Sequence, residues 1–169
     1  RSIDESWQLA SGSLAMQLAN LTNNTSLVLA FELSDGRVLL FPGDAQTGNW
    51  KSWDSVGFPS GRTAEQLLSN TAFYKASHHG SHNGTLSTRG LERMKRADLA
   101  AVIPVDQATA LRNKWPIPLD ALVTRLAEVT NGRVARPDRP VPSGFSEAKE
   151  KLVGTDQPLY FDYILRKVT

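Results

Sequence analysis

The chain has 169 residues, of which 40% are hydrophobic, and this is enough to bury the core of one globular domain. No apolar run approaches the length of a membrane span, and a net charge of +2 without blocks of like charge does not indicate a nucleic-acid partner. The absence of cysteine excludes disulfides, thiolate metal sites and cysteine nucleophiles. We therefore expect a single domain over residues 1–169.

The first predicted element is a β-hairpin. Residues 27–33 read LVLAFEL, residues 38–41 read VLLF, and the Asp-Gly pair at 35–36 is typical of the tight turn between two strands. Both strands are apolar on both faces, which predicts that they lie inside a layered α/β domain. The second strand ends just before Asp44.

Beyond the hairpin, short apolar strands alternate with helical segments. Residues 46–61 have no clear period, which predicts an irregular connection. Gly132 is placed to close the last helix. The alternation predicts the α/β (α+β) class, with a mixed sheet and flanking helices. The predicted helices are 64–68, 86–96 and 119–131, and the predicted strands are 73–76, 99–105, 134–136 and 159–165.

Candidate metal ligands follow two of these strands. The three histidines of the chain, His78, His79 and His82, come directly after the strand at 73–76, and Asp44 lies 34 residues before His78. Binding sites are commonly built where strands end, and Zn²⁺ accepts imidazole nitrogen and carboxylate oxygen as ligands. We therefore predict that Asp44 and His78 come close together. The simpler interpretation makes Asp44 a turn residue and at least one histidine a partner of a backbone carbonyl.

Two segments resemble a known family. NNTSLVLAFELSDGRVLLFPGDAQ followed by FYKASHHGSHNGT resembles the C-terminal half of metallo-β-lactamase-fold hydrolases, especially the branch with the hydrolase-like domain of bacterial DNA-uptake channel proteins. The similarity covers about residues 20–136. It implies the second half of an αββα sandwich, in which Asp44 bridges two divalent metals, Zn or Mn. His78 or His79 would be a terminal ligand, and we favour His78 because it comes first after the small residue. Three further side chains would lie behind the ligands or against the substrate: Ser77, Ser81 and His82.

The chain also departs from the family pattern. It lacks the earlier His-x-His-x-Asp-His segment and the further histidine that complete the two-metal site. We therefore expect a C-terminal half whose partner is the missing N-terminal half, and weak or no metal binding by this chain alone. The complete protein would hydrolyse a phosphodiester or another ester, with a small molecule as one possible substrate class, and the isolated chain would be inactive.

Two other functions remain open at this point. One is a metal-free structural or binding half-domain, which co-purifying metal would distinguish from a hydrolase. The other is a Ser-His hydrolase that uses Ser77 or Ser81, although the sequence around them lacks a nucleophile-elbow pattern.

Several further side chains have two interpretations each. Asp106 either reaches the site or caps the next helix. Three tryptophans either line a pocket or cover the edge of the core, and two cations either bind a phosphate or are ordinary surface charges. These residues are Trp50, Trp53 and Trp115, and Lys51 and Arg62.

Overall fold

The computed structural model describes residues 18, 21–151, 153, 156 and 160–166, and its centre is a five-stranded mixed sheet. The first two strands are antiparallel, and the second to the fifth run parallel. The predicted α+β class with a mixed sheet is therefore confirmed. In spatial order the strands are β1 (Leu29–Glu32), β2 (Val38–Phe41), β3 (Thr71–Lys75), β4 (Ala100–Val102) and β5 (Val134–Ala135).

From Thr47 onward, the described part of the chain contains four short α-helices beside this sheet, and the main core includes residues of both the sheet and the helices. The helices are α1 (Thr47–Ser52), α2 (Ala64–Ser69), α3 (Gln107–Arg112) and α4 (Asp120–Val129). Leu40, Tyr74 and Ala101 are neighbours across β2, β3 and β4, and they pack in one buried cluster with Leu68 of α2 and Leu126 of α4. None of the helices in the described residues is long and apolar enough to span a membrane.

The predicted hairpin is confirmed, but its first strand is not an interior strand. Leu29 pairs with Phe41, and Gly36 in the turn has a φ of +81° that suits glycine. All four residues of β1 are exposed, whereas β2 buries alternate side chains. The expectation of burial was wrong because β1 is the terminal strand of the sheet, and no strand among the described residues pairs with its outer edge.

The helices at 64–68 and 119–131 are confirmed as α2 and α4, while the irregular connection expected at 46–61 is partly helical. Gln46 and Asn49 form a capping box that starts α1, and a 3-10 helix (Trp53–Ser55) follows. The Trp50 ring is buried in the core and donates its Nε1–H to the carbonyl of Gly84 at 2.7 Å. Residues 46–61 therefore supply a core anchor that their irregular sequence pattern did not predict.

The helix predicted at 86–96 is wrong, because only Leu91–Arg93 form a short 3-10 turn. The backbone of Gly90 lies so close to its neighbours that an added Cβ would be 2.3 Å from the Leu86 carbonyl oxygen and 2.9 Å from the Trp50 ring. The tight packing of this glycine and its non-helical backbone, with φ of −133° and ψ of −95°, interrupt the helical path.

The other predicted strands are present in shorter or shifted form. The strand at 73–76 is β3, 99–105 shortens to β4, and 134–136 shortens to β5. Within 159–165 only β7 (Phe161–Tyr163) is a strand, and residues 157–159 lie outside the described residues. β7 pairs with β6 (Phe145–Glu147), which was not predicted, and Tyr163 stacks on Phe73 of the central sheet at 5.7 Å.

Candidate functional site

The segments that carry Asp44 and His78 lie side by side. β2 and β3 are parallel, so their carboxyl ends meet at the same edge of the sheet. There the backbone N–H of His78 donates to the carbonyl of Gly43 at 3.1 Å. The pairing between the Gly-Asp turn and the histidine segment is therefore made by backbone atoms, next to the residues that the sequence indicated.

Ser77 ties the same two segments together from inside the protein. Its side chain has no exposed surface, and its hydroxyl donates to the carbonyl of the buried Ala45 at 2.6 Å. The same oxygen lies 3.3 Å from the carbonyl oxygen of Gly43. Ser77 therefore holds the backbone on both sides of Asp44 in place. Within the described part of the chain, neither the Ser77 nor the Ser81 hydroxyl hydrogen-bonds to a histidine ring, which gives no support to a Ser-His hydrolase.

Lys75 is a charged residue of this site that the sequence analysis missed. Its ammonium is half-buried and lies 3.4 Å from the carbonyl oxygen of Gly43. Burial lowers the pKa of Lys75, and the charge of the Asp44 carboxylate acts in the opposite direction. The available signal was a lysine inside an otherwise apolar strand, directly before the histidine segment. Lys75 thus places a positive charge close to the predicted carboxylate ligand.

The two adjacent histidines share an uncommon backbone conformation but have different surroundings. His78 and His79 have φ values of 46° and 54°, in the left-handed region that non-glycine residues seldom occupy. The Nδ1 of His78 lies 3.3 Å from the side-chain oxygen of Asn83, and its Nε2 lies 3.4 Å from the side-chain nitrogen of Asn23. Both ring nitrogens of His78 are therefore engaged by amide side chains.

His79 keeps one ring nitrogen open. Its Nδ1 lies 2.7 Å from the carbonyl oxygen of Pro104, which accepts a hydrogen bond when Nδ1 is protonated. This tautomer leaves the lone pair on Nε2, and no side chain or backbone group among the described residues bonds to that atom. A histidine held in this way is oriented as metal-ligating histidines usually are. The geometry therefore suits His79 better than His78 as a metal ligand, whereas the sequence favoured His78.

The remaining candidates occupy ordinary structural positions. The carboxylate of Asp106 caps α3 by accepting a hydrogen bond from the backbone N–H of Thr109 at 2.5 Å, so the capping interpretation is confirmed. The hydroxyl of Ser81 donates to the side chain of Asn83 at 3.0 Å, and His82 is exposed. Arg62 pairs with Glu32, as expected of a surface charge.

The described residues contain no group of three or more histidine, aspartate or glutamate side chains that could hold a metal ion. Asp44 and His79 supply suitable donor atoms, but they are a partial set, because a catalytic zinc commonly takes three protein ligands and a water. The Lys75 ammonium near Asp44 also offsets part of the negative charge that attracts a cation.

Comparison with known proteins adds no relative from which a role could be transferred. No protein-family model matches the sequence, and no curated protein and no solved structure matches it either. Function is therefore inferred from the residues themselves and from their geometry.

Proposed function

We propose that the chain is one part of a metal-dependent hydrolase of the metallo-β-lactamase type. In this proposal Asp44 and one of the two adjacent histidines contribute ligands to a centre for two divalent metals, Zn or Mn. The observation that carries it is the hydrogen bond between the His78 backbone and Gly43, because it joins the two family-like motifs at one edge of the sheet.

The residues around the centre support a division of roles. Ser77 and Lys75 hold the turn that contains Asp44, and the Pro104 carbonyl orients the ring of His79. Bound Zn or Mn would supply Lewis acidity toward a substrate oxygen and activate water for ester hydrolysis. A phosphodiester or another ester is the proposed substrate class.

The chain alone is proposed to be inactive. The donor atoms of Asp44 and His79 fit part of a metal site, and the remaining ligands have to come from a complementary half of the fold. With an incomplete set of ligands, a metal remains largely hydrated, and we expect dissociation constants on the order of micromolar or weaker for Zn²⁺ and Mn²⁺.

Isothermal titration of the 169-residue chain with each metal tests this proposal. We expect weak binding that is lost in Asp44→Asn and in His79→Asn, since asparagine tolerates the left-handed backbone at position 79. His78→Asn is the matched control at the neighbouring left-handed position, and it should retain most of the binding.

The outcomes separate the proposal from its alternatives. If neither metal binds up to millimolar concentration, the chain is better described as a metal-free structural or binding half-domain. Nanomolar binding, or metal-dependent hydrolysis of bis(p-nitrophenyl) phosphate that Asp44→Ala abolishes, would contradict the proposed incompleteness. Equal binding by the chain and by both Asp44→Asn and His79→Asn would reject these residues as ligands.

A further inference from the structure

A cavity of about 570 Å³ adjoins the candidate site. The histidine segment lines one side, and the chain from the end of β4 to the residues after α3 lines the other. A cavity of this volume is large enough for a small organic ligand. Its lining includes the polar residues His79, His82 and Asp106 and the apolar residues Val105, Trp115 and Ile117.

Hydrogen bonds fix the two sides of this cavity relative to each other. The backbone N–H of Leu119 donates to the carbonyl of Gly80 at 2.9 Å, and the ring of His79 contacts the Pro104 carbonyl at 2.7 Å. An added Cβ on Gly80 would be only 2.9 Å from the Cβ of Pro118. The two segments are thus in close contact next to the cavity.

Strained backbone is concentrated around the same space. Among the described residues, four non-glycine residues have positive φ, and three of them border this cavity or directly precede one of its residues: His78, His79 and Lys114. Left-handed non-glycine residues cost conformational energy and are commonly found at ligand sites. Lys114 immediately precedes Trp115, so the strained backbone lies next to the tryptophan that lines the cavity.

The lining has the chemistry of a site for an uncharged apolar group. The Trp115 side chain is 53% exposed although it is large and apolar, and Val105 and Ile117 extend the same surface. No lysine or arginine is among the described residues that line the cavity. Asp106 is the one carboxylate among these described lining residues. Hydrogen bonds from Thr109 hold the pKa of Asp106 below its usual range, so it is charged at neutral pH. Within this lining a phosphate group would meet the Asp106 carboxylate and no lysine or arginine.

We propose that this cavity binds an uncharged aromatic or branched apolar group of a small organic ligand, with Trp115 as the principal contact. This inference deepens the proposed function, because the cavity begins at His79 and the apolar group would then belong to the ester that the complete hydrolase cleaves. A nucleic-acid strand is the competing occupant, and the charge of the lining disfavours it.

The test uses the metal-free chain and 2-naphthol as the probe, followed by ¹H–¹⁵N NMR. We expect 2-naphthol to shift the indole N–H signal of Trp115 and the backbone amide signals of Val105 and Ile117. The indole signal of Trp115 is identified as the one that is missing from the spectrum of Trp115→Ala. For a ligand of this size the dissociation constant should be on the order of 1 mM. Trp115→Ala should weaken binding about tenfold, as read from the amides.

Matched variants separate this inference from the metal proposal. Leu111→Ala removes a different exposed apolar side chain, which belongs to α3 and does not line the cavity, and this variant should bind 2-naphthol as the unchanged chain does. Asp44→Asn should also bind the probe normally, whatever its effect on metal. The inference is overturned if 2-naphthol causes no shift at these signals, if Trp115→Ala binds it equally well, or if single-stranded oligothymidylate shifts the same signals at a lower concentration than 2-naphthol does.

Discussion

Replacement of Ser77 by alanine tests whether the candidate site depends on the buried link between its two segments. The hydroxyl of Ser77 is fully buried and bonds at 2.6 Å to the carbonyl of Ala45, which is itself buried. Removing the donor leaves that carbonyl without this partner, a change that typically costs about 1–3 kcal/mol. For a domain of this size, a loss of about 2 kcal/mol lowers the unfolding midpoint by about 6 °C.

Thermal and urea unfolding of Ser77→Ala measure this loss directly. Ser69→Ala is the control, because it removes an exposed hydroxyl that also bonds to a backbone carbonyl, and its stability should change by less than about 0.5 kcal/mol. If the chain binds Zn²⁺ as proposed, Ser77→Ala should also weaken that binding about tenfold by loosening the turn around Asp44. A Ser77→Ala variant as stable as Ser69→Ala would refute the idea that this hydroxyl holds the site together.

Two further predictions concern stability. Gly90→Ala should destabilise the fold by about 1–3 kcal/mol in urea unfolding because the new methyl group has no space, whereas Gly48→Ala, inside α1 with open space around it, should be neutral or stabilising by up to about 1 kcal/mol. Equal effects of the two changes would contradict the packing described around residue 90. The hydrogen bond from the nearly buried Arg37 lowers the pKa of Asp35, so the pair should stabilise the fold above about pH 4 and lose this effect as the pH falls through the lowered pKa. Asp35→Asn should therefore reduce the free energy of unfolding at pH 7 but have little effect near about pH 2, and a difference that does not change with pH would argue against an ionic origin.

The elements predicted well are those whose local sequence is sufficient to specify them. The Asp-Gly turn produces the hairpin, and a helical period closed by Gly132 produces α4. The wrong predictions lie where contacts with residues distant in the sequence determine the local structure. Nothing in the sequence around Gly90 shows that a tryptophan ring from α1 lies against its backbone. An apolar pattern also cannot show whether anything covers a strand, which is why the exposure of β1 was not predicted.

In the candidate site, too, local sequence predicted some features, and contacts between distant residues determined the others. The order of motifs and the parallel strands were enough to bring the Asp44 and His78 segments to one edge. The sequence could not predict which of His78 and His79 is the better metal ligand. That difference depends on the Pro104 carbonyl, which follows β4, and on the amide side chain of Asn83. Lys75 was missed because a lysine in a short strand is ordinarily a solvent-facing residue.

The register of the sheet also has a consequence for the order of folding. The hairpin joins residues only 12 positions apart at its open end, from Leu29 to Phe41, whereas the parallel pairs join Val38 to Thr71 and Phe73 to Ala100. Pairing across such long intervening segments closes large loops, which slows the search for native contacts. We expect the hairpin to form early and the turn at Asp44 to meet the histidines only when the parallel strands have assembled. A partly folded chain would therefore contain the motifs of the site without the site itself.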